Sequence, residues 1–79
     1  MLTRMLQPAI MESVITGSTN SKLLSIEGGN AQLSFAENSN ITQKWVNGDK
    51  LIVPAGVDVY GMASPESRSV RIIIADFGA

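Results

Sequence analysis

Two carboxylates of this 79-residue chain, Asp58 and Asp76, stand inside apolar runs, "VPAGVDVYG" and "RIIIADF". Two carboxylates converging on one cleft are the minimum equipment for hydrolysis by a paired acid and base. The other acids, Glu12, Glu27, Glu37, Asp49 and Glu66, are dispersed, and solvent-facing positions on half-buried strands are the expectation for the pair as well. Serines are plentiful, but the chain holds no histidine to act as their base, and no Ser–Lys spacing stands in for one. The absence of both histidine and cysteine removes imidazole ligation, thiolate chemistry and disulfides. "EGGN" at 27–30 is glycine-rich but lacks the lysine and the helix of a phosphate loop. No Asp-x-Asp-x-Asp-Gly run offers a calcium loop. No catalytic residue, cofactor or metal ligand is therefore assigned, and the expectation is a protein that is not an enzyme.

The elements that would position such residues read as strands. Turn-forming clusters recur at short intervals: "TGSTNS" at 16–21, "EGGN" at 27–30, "ENSN" at 37–40, "NGD" at 47–49, "PAG" at 54–56 and "SPES" at 64–67. Short runs rich in Val, Ile, Leu and Thr lie between them, the pattern of a sandwich or barrel. In "NAQLSFAE", Ala31, Leu33 and Phe35 share one face of an extended strand; in "ITQKWV", Ile41, Gln43 and Trp45 share one. The closing run "SVRIIIADF" differs. Val70, Ile72 and Ile74 fall on one face and Arg71, Ile73, Ala75 and Phe77 on the other, so both faces are apolar and both call for cover. The fold expected is all-β: a small antiparallel β-sandwich or barrel, jelly-roll-like or a partial barrel, with an N-terminal arm.

Residues 1–16 form that arm or an edge segment, and residues 17–79 the β domain. "LTRMLQPAIM" spaces Leu2, Met5 and Leu6 as one turn of helix would before Pro8, but an extended arm or a first edge strand fits equally well. An arm predicts that removing Met1 to Met11 leaves the body folded; an edge strand predicts unfolding.

Composition bounds the partners. Apolar residues make up 44% of the chain and charged residues only 16%, a surplus that a subunit interface would absorb. A homo-oligomer is expected, with Leu2, Met5, Leu6, Ile10, Met11, Trp45, Tyr60, Ile73 and Phe77 as interface candidates. Six basic residues stand singly against seven acidic ones, which argues against direct nucleic-acid binding. No apolar run is long enough to span a bilayer, so no membrane partner is expected. The N-terminus lacks a signal-type apolar core followed by small residues, and cytoplasmic synthesis without export is the expectation.

Two resemblances follow from these residues. Gly48, Pro54 and Gly56 are spaced as in the first part of the second cupin motif, where a glycine turn and a proline-glycine turn flank a strand. A cupin would carry a metal-binding histidine at the position of Val59, and the chain is short for a full cupin barrel, so the resemblance implies turn geometry without the metal. The short length, the Ser/Asn/Gly turns, the apolar arm and the closing "VRIIIADFGA" resemble the decoration or cement proteins of tailed-bacteriophage capsids. That resemblance implies a structural virion protein that binds a larger assembly such as a major capsid protein, with a trimer favoured, located in the virion. The alternatives are a small β-barrel binding module with a shallow surface near Trp45 and Tyr60, and a degenerate cupin-like domain without metal.

Overall fold

A computed structural model of the chain describes residues 2–35 and 42–77. The expected turn at 37–40 and Ile41 lie outside the described residues. The strands are β1 (Leu2–Leu6), β2 (Glu12–Ile15), β3 (Lys22–Glu27), β4 (Ala31–Ser34), β5 (Gln43–Trp45), β6 (Lys50–Val53), β7 (Val59–Ala63) and β8 (Val70–Asp76). They build two four-stranded antiparallel sheets, ordered β1-β8-β3-β6 and β2-β7-β4-β5. Below they are sheet A and sheet B.

This order has a simple physical origin. The pairs β1·β8, β2·β7, β3·β6 and β4·β5 are all hydrogen-bonded neighbours. The chain is thus a long antiparallel ribbon, its first half laid against its second, wound so that successive pairs fall alternately in the two sheets. Pairings β3·β8 and β4·β7 then close each sheet. Eight strands so wound are a jelly roll. Strands of three to seven residues let the architecture fit within 79 residues.

The core lies between the sheets. Leu6, Leu24, Ile26, Val53, Val70 and Ile72 of sheet A meet Leu33, Val59, Ala31 and Ala63 of sheet B, all essentially inaccessible. Alternation supplies this set, because every second residue of a strand turns inward. Val14 and Ile15 are adjacent yet both buried; a register shift between Ser13 and Ile15 bulges β2 and lets both turn inward.

The residues expected to form an arm or edge segment supply two edge strands. β1 runs along sheet A against β8, in register from Leu2↔Ile74 to Leu6↔Val70, and β2 runs along sheet B against β7. The first of these segments is extended, not a turn of helix. Leu6, an interface candidate on sequence grounds, is corrected to a core residue: it has 0% exposure, because its parity in β1 places it on the inward row with Val70. The chain crosses between the sheets through Gln7–Met11, where Ala63 N–H donates to the Gln7 carbonyl and Ala9 takes a left-handed φ of 63°.

The two turns of "VNGDKLIVPAGV" are of one kind. Asp49 N–H donates to the Val46 carbonyl and Val57 N–H to the Pro54 carbonyl. Gly48 and Gly56 occupy the third turn position with φ of 95° and 85°, the geometry of a type II turn, where a side chain would be strained. Between them Lys50–Val53 forms β6, as the spacing predicts. Val59, at the position of the cupin histidine, points into the core with no exposed surface.

Candidate interface

The outward faces of the two sheets differ in character. On sheet A the register aligns Ala75, Leu23 and Ile52 in one row and Thr3, Ile73, Ser25 and Lys50 in the next. A third row holds Met5, Arg71 and Glu27. Phe77, one residue past β8, continues the alternation, and its N–H donates to the Ser21 carbonyl. The result is an apolar field of Met5, Leu23, Ile52, Ile73, Ala75 and Phe77. Met5, Ile52 and Phe77 are openly exposed, at 51%, 52% and 43%. Charge gathers at one margin, where Arg71 faces Glu27 at 3.6 Å and Lys50 stands near. Four strands at about 4.8 Å and roughly five residues at ~3.3 Å give a face of roughly 300 Å².

Sheet B sets Ser13 and Tyr60 in one outer row with Ser34, which is itself buried, and Lys44, Gln32 and Met62 in another. Among the described residues that face mixes Ser13, Gln32 and Lys44 with Tyr60 and Met62. The sequence marks the difference. Each sheet A strand is regularly pleated and carries adjacent apolar residues (Met5-Leu6, Leu23-Leu24, Leu51-Ile52, Ile72-Ile73), which therefore fall on opposite faces, whereas β4 and β5 interleave polar residues and β7 turns Tyr60 and Met62 outward.

Of the interface candidates, Met5, Ile73 and Phe77 converge on the outer face of sheet A. Ala75 shares that face as the alternation predicts, and Leu23 and Ile52, which complete it, were missed; the adjacent apolar pairs were the signal. Ile10 and Met11 are exposed on the crossover between the sheets. Trp45 and Tyr60 do not form a common surface, which corrects the shallow ligand site expected there. Trp45 lies opposite Ala31 and Tyr60 opposite Ser34, three positions apart along β4, so they face opposite sides of sheet B. Trp45 packs on the core, and its buried indole Nε1 has no acceptor among the described residues.

The two ends of the sandwich also differ. At one end the β3–β4, β5–β6 and β7–β8 loops are tied together. Asn47 N–H donates to Asn30 Oδ1, Gly28 N–H to Asn47 Oδ1, and Asn30 N–H to Ser67 Oγ. Glu66 accepts from Asn30 Nδ2 and pairs with Lys44 at 2.6 Å. These donors hold its carboxyl down from the ordinary 4.5 to about 2, the Lys44 hydrogen bond contributing most. Gly29 is required there: a Cβ would stand 2.9 Å from the Ser69 carbonyl oxygen and 3.0 Å from Ser67 Oγ.

At the other end the sheets part into an open cleft of about 360 Å³. Leu2, Val14, Ile15 and Ile74 form its apolar walls and the Lys22–Asp76 ion pair lies at its rim. Lys22, chiefly by its hydrogen bond, holds the Asp76 carboxyl below its usual value. Asp58 accepts a hydrogen bond from Gly17 N–H at 2.8 Å. The two carboxylates singled out by the sequence, Asp58 just before β7 and Asp76 at the end of β8, thus each serve a separate local tie. Among the described residues no three of His, Cys, Asp and Glu gather as a metal-binding group, and no helix is long and apolar enough to cross a membrane.

No protein-family model, curated protein or solved structure matches the chain.

Proposed function

We propose that this chain is a non-enzymatic structural protein that adds to the surface of a larger protein shell, in the manner of a capsid decoration or cement protein. One observation carries the reading: the outer face of sheet A gathers Met5, Leu23, Ile52, Ile73, Ala75 and Phe77, while that of sheet B mixes Tyr60 and Met62 with Ser13, Gln32 and Lys44. A one-sided apolar sheet face marks a surface that another protein covers. Roughly 300 Å² lies well below the ~800 Å² per partner of a standard stable interface, so a single copy holds weakly and occupancy depends on several copies acting together. Self-association belongs to the proposal for that reason, and the resemblance to decoration proteins implies a trimer. Residence in the virion, with a major capsid protein as partner, follows from the same resemblance. The jelly roll supports a structural role, since the fold recurs in capsid domains, but it recurs in lectins and cupins too and does not choose among them.

The test is imaging. Shells assembled from the major shell protein of the same genome, with and without this chain, are compared by cryo-electron microscopy. Ordered added density with sheet A turned toward the shell is the expected result. Shells that stay bare at saturating protein overturn the proposal.

A second reading, a small binding module, has the cleft in its favour. Its volume lies at the lower end of small-ligand pockets, and apolar walls with an ion pair at the rim suit a small amphipathic molecule. Chemical-shift changes confined to Ile15, Lys22 and Ile74 on screening short-chain carboxylates and amines would support it.

A further inference from the structure

Asn47 is the one asparagine of the sequence that a glycine follows; Asn20, Asn30, Asn38 and Asn40 precede Ser, Ala, Ser and Ile. An asparagine carboxamide can be attacked by the backbone nitrogen of the next residue. Glycine leaves that approach open, because it has no Cβ and restricts the backbone least. Asn47 is exposed, so water reaches it. It also stands at the centre of the tied end of the sandwich, bonded to both Gly28 and Asn30. The most reactive amide of the chain is thus one on which the loop ties depend.

We propose that Asn47–Gly48 is a self-modification site that the fold keeps closed and unfolding opens, so that time spent unfolded makes the loss of structure permanent. The Gly48 nitrogen bonds to Asn47 Cγ as the Cγ–Nδ2 bond breaks. The proton of the Gly48 N–H goes to the departing nitrogen, which leaves as ammonia. Solvent water then opens the cyclic imide. Opening at Cγ gives aspartate; opening at the main-chain carbonyl gives isoaspartate, with the chain running through the former side chain. Nothing is oxidised or reduced. In the folded protein the reacting atoms are held apart. Gly48 N–H donates to the Ile26 carbonyl at 2.8 Å, which keeps the proton on the nucleophile. Asn47 Oδ1 accepts from Gly28 N–H at 3.1 Å, which turns the carboxamide toward the β3–β4 loop. Asn47 N–H donates to Asn30 Oδ1 at 3.1 Å and fixes the residue from its other side. Ring closure also needs Asn47 Cβ and the Gly48 nitrogen nearly eclipsed about the Cα–C′ bond. The second position of a type II turn, with ψ of about +120°, holds them far from that arrangement. Unfolding removes all of these restraints at once. Isoaspartate adds a main-chain carbon inside the turn that Asp49 N–H and the Val46 carbonyl close at 3.0 Å, and it displaces the ties to Gly28 and Asn30. Chemical modification of an unfolded chain is a general route to irreversible unfolding.

The test holds the protein folded in buffer and unfolded in urea, side by side at mildly alkaline pH. Peptide mass spectrometry follows conversion at residue 47, and isoaspartyl methyltransferase labelling identifies isoaspartate. Conversion in the folded protein should be at least ~tenfold slower, because the rate follows the population of the opened state. Asn30→Ala removes the acceptor of Asn47 N–H and should raise the folded-state rate while leaving the rate in urea unchanged. If that variant does not fold, the wild-type ratio alone decides. Asn47→Asp keeps an oxygen for Gly28 N–H and has no amide to lose. After long storage in urea it should refold fully, while the refolding fraction of the wild type falls in step with its isoaspartate content. Three outcomes overturn the inference: equal conversion of folded and unfolded protein; conversion of Asn20 or Asn30 ahead of Asn47 in urea; or full recovery of the native fold by chains that carry isoaspartate at 47. Each outcome stands whether or not the protein binds a shell, so the two proposals fail separately.

Discussion

Leu6→Ala and Met5→Ala make a controlled pair, because the residues are adjacent in β1 and differ in burial. Leu6 is 0% exposed and Met5 51%. Removing a fully buried leucine side chain loses its transfer free energy and leaves a cavity, together about 3 kcal/mol. A domain of this size is stable by roughly 4–12 kcal/mol, so Leu6→Ala removes between a quarter and most of the total. At ~4–8 °C per kcal/mol the melting temperature falls by about 12–24 °C. Met5 contributes to the outer face and not to the core, so Met5→Ala stays within ~0.5 kcal/mol. Urea denaturation followed by Trp45 fluorescence, together with calorimetry, reads both. Equal midpoints for the two variants would refute the placement of β1 within the fold and restore a detached arm. The same reasoning predicts that deletion of Met1 to Met11 unfolds the protein, since it removes β1 and with it Leu6.

Ile73→Asp is expected to lower stability by less than about 2 kcal/mol, because residue 73 sits between Thr3 and Ser25 on an open face where a carboxylate reaches water. The variant should fold and fail to decorate shells; unfolding would show that sheet A is covered within the monomer. Glu66 titrates below an ordinary carboxylate, so its contribution to the loop ties is complete above about pH 4.5 and is lost as pH falls toward 2. Carboxyl NMR should place its midpoint near 2, and Lys44→Met should raise that midpoint; an ordinary midpoint in the wild type contradicts the geometry. Gly29→Ala should cost about 1–3 kcal/mol by forcing the Ser67–Ser69 backbone away, as measured by denaturant midpoint, and an unchanged midpoint refutes the close approach. Ala9→Gly should add roughly 0.5–1 kcal/mol by relieving a left-handed φ, and a loss of stability would refute that strain.

Much of the fold was legible in the sequence because it is written locally. Glycine at the third position of each tight turn fixed where "VNGDKLIVPAGV" bends, and period-two alternation fixed which of Val70 to Ile74 face inward. Brevity and turn spacing pointed to a sandwich of many short strands. The first sixteen residues were harder, because Leu2, Met5 and Leu6 satisfy a helical turn and an extended strand equally well; only the hydrogen bonds to β8, 64 or more residues away in sequence, decide between them.

The site lay at the limit of what local pattern can carry. The sequence determined that the closing strand, with its run Ile72-Ile73-Ile74, has two apolar faces, and that Ile73 and Phe77 share one of them. It could not determine that those strands are neighbours. Leu23, Ile52 and Ala75 are far apart in the chain, and they form one row only because the wound ribbon places β8, β3 and β6 side by side in a fixed register. Trp45 and Tyr60 were separated for the same reason: their faces depend on which residues of β4 they oppose. Side-chain direction within a strand is set by backbone pleating, which the sequence specifies residue by residue. Adjacency between strands is set by long-range pairing of the backbone, and only the tertiary structure decides it.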